Sequence, residues 1–63
     1  MTEQEVLVLD MVIRAGAMAA AEIAKQTGLP RGGIDSILER LVLLQYVSRK
    51  GARYTAKARP RGL

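Results

Sequence analysis

A chain of 63 residues, 49% hydrophobic and 25% charged with a net charge of +4, has the balance of one small globular domain and not of a wholly disordered chain. It contains no cysteine and no histidine, so disulfides, thiolate and imidazole metal sites and the commonest general base are excluded, and neither enzyme chemistry nor a cofactor is expected. There is no long apolar run and the first residues are acidic, so neither a membrane span nor a secretory signal is expected and a cytoplasmic location follows.

Thr2 and Glu5 stand at the spacing of a capping box, which predicts a helix over 2–15. Val6, Leu9 and Ile13 fall at helical spacing as its core stripe, widened by Met11 and Val12, and Gly16 reads as the C-cap. Ala17 to Ala19 is too short for a helix and reads as a minimal strand. Ala20 to Thr27 follows as a two-turn helix with Ile23 and Ala24 on one face, ended by Gly28. Leu29 suits the angle between two helices, and Pro30 suits the entry of the next. Ile34, Ile37, Leu38, Leu41 and Leu44 then keep the rhythm of a longer amphipathic helix over 30–45, with Arg31, Asp35, Ser36, Glu39 and Arg40 on its opposite face. β-Favouring residues flank Gly51 and predict a hairpin over 46–55. Residues 57–63 read as a basic flexible tail behind a domain over 1–56.

The charge is unevenly spread. From Arg40 onward there are seven cationic residues and no anionic one, a pattern that points to a polyanionic partner. With no Phe or Trp, and with Tyr46 and Tyr54 expected to pack the hairpin onto the helices, the chain lacks the platforms used to stack unpaired bases. Base stacking on single strands is therefore not expected.

Ala21-Glu22-Ile23-Ala24, Thr27-Gly28-Leu29-Pro30, Ile34, Ile37-Leu38, Leu41 and Tyr46-Val47 together resemble the winged helix-turn-helix of IclR- and MarR-type transcriptional regulators. The fold class is accordingly mainly α with a small β-hairpin, a three-helix winged helix-turn-helix. The resemblance implies double-stranded DNA as the partner, with helix 30–45 in the major groove and Arg31, Gly32, Gly33, Ser36 and Arg40 among the DNA-binding residues. It implies that hairpin 46–55 is the wing, with Arg49, Lys50 and Arg53 against phosphate, extended by Lys57, Arg59 and Arg61. Because Gly32 and Gly33 are blank positions, the wing and tail are expected to carry most of the binding.

Val42, Leu43 and Leu44 make an apolar run wider than one helix face needs, so a homodimer through them or through helix 2–15 is expected. The alternative is a protein-protein interaction module within a larger nucleic-acid-processing assembly, using the same leucines and the glycine pair.

Overall fold

A computed structural model describes residues 2–57. The first helix, α1 (Glu3–Ala15), begins at the capping box: the Glu5 N–H donates to Thr2 Oγ1 at 3.2 Å, and the Thr2 N–H donates to Glu5 Oε1 at 2.8 Å. It ends at Gly16, whose φ of 86° few other residues adopt. The buried stripe of α1 is Glu5, Val8 and Val12, which takes Val12 from the expected stripe but neither Val6 nor Ile13, while Met11 packs half-buried against the core. Leu9 is half-buried, while Val6 and Ile13 remain 52% and 56% exposed. The helix thus carries two apolar stripes, and the fold buries the one that contains a carboxylate.

Strand β1 (Ala17–Ala19) leads directly into α2 (Ala20–Thr27), which packs Ile23 into the core and ends at the left-handed Gly28. Leu29 lies half-buried against the core at the turn, and Pro30 caps the next helix. That helix, α3 (Arg31–Leu43), buries Ile34, Leu38 and Leu41 completely. The core is aliphatic throughout: these three meet Val8, Val12, Met18, Ala20, Ile23 and Val47.

Helix α3 stops two residues short of the expected boundary, and the reason is local. The Gln45 N–H donates to the Val42 carbonyl at 3.0 Å and the Tyr46 N–H to the Leu41 carbonyl at 2.9 Å. These are the paired bonds of a Schellman ending, which requires a left-handed residue, here Gln45 at φ 68°. A side chain in that conformation costs about 1–2 kcal/mol, of which glycine's greater chain entropy takes back about half. Gln45→Gly is therefore expected to raise stability by about 0.5–1 kcal/mol. The urea midpoint reports this, and an unchanged or lower midpoint would contradict it.

The hairpin pairs β2 (Val47–Lys50) with β3 (Arg53–Ala56), slightly beyond the 46–55 expected, and β1 joins the other edge of β3. The two-residue turn has positive φ at Gly51, 61°, and not at Ala52, which is the II′ geometry favoured by strand twist. Tyr54 packs half-buried against the core as expected. Tyr46 does not: it is 45% exposed, because the Schellman ending turns the chain at that point. Lys57 continues beyond β3, with its N–H donating to the Tyr46 carbonyl at 3.0 Å. Arg59, Arg61 and the remainder of the expected tail, like Met1, lie outside the described residues. Among the described residues no helix is long and apolar enough to cross a membrane.

Candidate nucleic-acid interface

Strand register decides where the hairpin's cations point. Residues paired across strands share a sheet face, so Met18, Tyr54 and Arg49 lie on one face, while Lys50 and Arg53 lie on the other with Ala19. The first face is the one that covers the core. Arg49, just past the core's edge, therefore overhangs a cleft beside α3. Arg31, Asp35 and Glu39 of α3 line this cleft together with Arg49, Ala52 and Tyr54 of the hairpin.

The other hairpin face places Lys50 directly opposite Arg53. Like charges in that position destabilise a hairpin. The fold answers only half of the repulsion: Arg53 Nη2 lies 3.6 Å from Glu22 Oε1 and donates to the Ala17 carbonyl at 3.4 Å. Glu22 is in turn fixed by the Ala19 N–H, which donates to its Oε1 at 2.9 Å at the start of α2. Among the described residues the ion pairs engage Arg14, Arg31, Arg40 and Arg53, and neither Arg49 nor Lys50 takes part in one. Arg49 Nε donates instead to the Gly51 carbonyl at 3.2 Å, which holds the guanidinium along the turn.

On α3, Arg31, Gly32 and Gly33 form the exposed first turn, and Ser36 is exposed one turn later. A Cβ added to Gly32 or Gly33 would meet open space, so nothing within the domain demands glycine there. Each nevertheless costs about 0.5–1 kcal/mol relative to alanine in a helix. Arg31 is tied to Asp35, with Nε 3.1 Å from Oδ1.

Arg40 has a different place. Its Nε lies 3.1 Å from Glu5 Oε2, so it closes α3 against α1 over a buried carboxylate. Lys57 lies at the far end of the hairpin from Gly51, with Nζ 3.5 Å from Gln45 Oε1. The structure thus brings Arg31 and Arg49 to one cleft, with Lys50 and Arg53 on the reverse of the same hairpin, and sets Arg40 and Lys57 apart. The sequence reading missed Glu22 and Glu5 as partners of these arginines. Asp35 was not foreseen as the partner of Arg31 either, although their i,i+4 spacing carries that signal; the other two pairs join residues distant in the chain.

Above all the Thr2 N–H, and with it the Arg40 guanidinium, hold the Glu5 carboxyl below its ordinary value, against the opposing effect of burial. A carboxylate with a depressed folded value contributes stability that is present above its unfolded value and lost as pH falls through the folded one. The stability gap between the native chain and Glu5→Gln is accordingly expected to be largest at neutral pH and to close in strong acid. Thermal melting of both chains across that range checks this, and a gap independent of pH would contradict it.

The family model described as MarR family matches residues 1–58. No match is found among curated proteins or among solved structures.

Proposed function

The chain belongs to the MarR family of winged-helix DNA-binding transcription regulators, and on that premise we propose that it binds duplex DNA with α3 in the major groove and the β2–β3 hairpin as a wing on phosphate. The observation that carries this reading is the hairpin's charge: Lys50 faces Arg53 across the strands, and neither Lys50 nor Arg49 has a carboxylate partner among the described residues. A polyanion relieves that repulsion. Phosphate contacts from Arg49, Lys50 and Arg53 supply most of the affinity, while the first turns of α3, from Arg31 to Ser36, fix the register. A cytoplasmic location goes with this reading.

The protein acts as a homodimer. Val6, Leu7 and Ile13 of α1, with Leu43 and Leu44 at the end of α3, are large apolar side chains left about half or more exposed. Val42 contributes less than the sequence suggested, since it packs half-buried against the core. An interaction module in a larger assembly is the competing reading, and the 79% exposure of Leu43 is the observation in its favour. Leu43→Glu separates the two, because loss of self-association with DNA contacts retained supports the dimeric regulator.

Titration of a labelled duplex at several salt concentrations tests the reading. Affinity is expected to fall linearly on a log-log plot with a slope of about −0.9 per phosphate contacted. No binding at low salt, or binding indifferent to salt, would contradict it.

A further inference from the structure

We propose, resting on the duplex-DNA reading above, that Arg31 and Asp35 form a guanine-reading couple in which Asp35 orients Arg31 for the major-groove edge of the base.

Asp35 Oδ1 accepts from Arg31 Nε at 3.1 Å. Nε is the guanidinium nitrogen not needed for an end-on fork, so the bond fixes the plane of the group and leaves both terminal amino groups available. Those two donors match the O6 and N7 acceptors of guanine, the commonest specific contact an arginine makes with DNA. The carboxylate removes rotamer freedom that the free side chain would otherwise lose on binding. Both side chains are more than half exposed, 59% for Arg31 and 53% for Asp35.

Position supports the same assignment. Arg31 opens α3 and Asp35 stands one turn later, in the N-terminal part of the helix that meets base edges in helix-turn-helix docking. Gly32 and Gly33 put no side chain between the couple and the groove, and their flanks are open space. Arg40, the other cation of α3, is held by Glu5. Base reading at the start of α3 therefore falls to Arg31, with Ser36 as a short neighbour.

Asp35 is thus a positioning residue, and the test reads base preference and not affinity alone. Duplexes with a randomised site are selected by the native chain, by Arg31→Lys, by Asp35→Ala and by Asp35→Asn, with circular dichroism confirming that each is folded. The native chain is expected to prefer guanine at one position of each site by about tenfold or more. Arg31→Lys and Asp35→Ala are expected to lose that preference while other positions keep theirs. Asp35→Asn retains most of it, because the amide oxygen still accepts from Nε.

A native chain that binds duplex without a guanine position, or an Asp35→Ala variant with unchanged preference, would overturn the couple and leave the DNA reading standing. Loss in Asp35→Asn as complete as in Asp35→Ala would also overturn it, by assigning the effect to charge. Failure of the native chain to bind any duplex at low salt would overturn the DNA reading, and the couple with it.

Discussion

Replacing Leu38 by alanine is expected to leave the chain largely unfolded at room temperature. Leu38 is completely buried at the centre of α3, in the cluster that joins all three helices to the sheet. Truncating such a leucine costs about 2–5 kcal/mol in lost transfer energy and cavity formation. A core of this size supplies only about 3–5 kcal/mol of net stability, so one substitution consumes most of it. Leu43, 79% exposed five residues later, is the control: Leu43→Ala changes the stability of the monomer by no more than about 0.5 kcal/mol. Far-ultraviolet circular dichroism with urea titration reads both. A Leu38→Ala chain with a native urea midpoint would contradict the packing described.

The double substitution Arg49→Ala/Lys50→Ala is expected to weaken DNA binding almost equally for every sequence and to reduce the log-log salt slope by about two. Both side chains are exposed, and neither has a carboxylate partner among the described residues, so their removal leaves the domain's own ion pairs intact. It also relieves the Lys50 to Arg53 repulsion, so stability holds or rises slightly while binding falls. That opposition separates a binding role from a structural one. A slope unchanged from the native chain would mean that the hairpin does not touch phosphate.

The elements of the fold were legible wherever their signals are local. The Thr2 and Glu5 box, the Gly16 and Gly28 stops and the Gly51 turn each act within four residues, and each stands where the sequence placed it. The inward face of α1 was not legible. Val6, Leu9 and Ile13 offer as regular a stripe as Val8 and Val12, and the buried stripe includes Glu5, whose charge is answered by the Thr2 N–H and also by Arg40, 35 positions later. Helix periodicity cannot report a partner at that distance. The end of α3 was misread for the opposite reason: Gln45 is a poor left-handed residue, and backbone bonds to Leu41 and Val42 impose that conformation.

The candidate interface was legible as residue types and not as an arrangement. Arg31, Arg49, Lys50 and Arg53 belong to the helix start and the hairpin, as their positions in the chain implied. Their sides were set by sheet register, and their pairing by carboxylates on other elements. Arg40 shows the difference most clearly, since it shares the long helix with Arg31 yet serves the contact between α3 and α1.

Amide chemical-shift mapping with a short duplex reads directly whether α3 and the wing meet DNA. Binding through α3 and the wing predicts shifts concentrated at residues 31–36 and 49–53, with α1 nearly silent. Shifts confined to Val6, Leu7, Ile13, Leu43 and Leu44, or none at low salt, would contradict it.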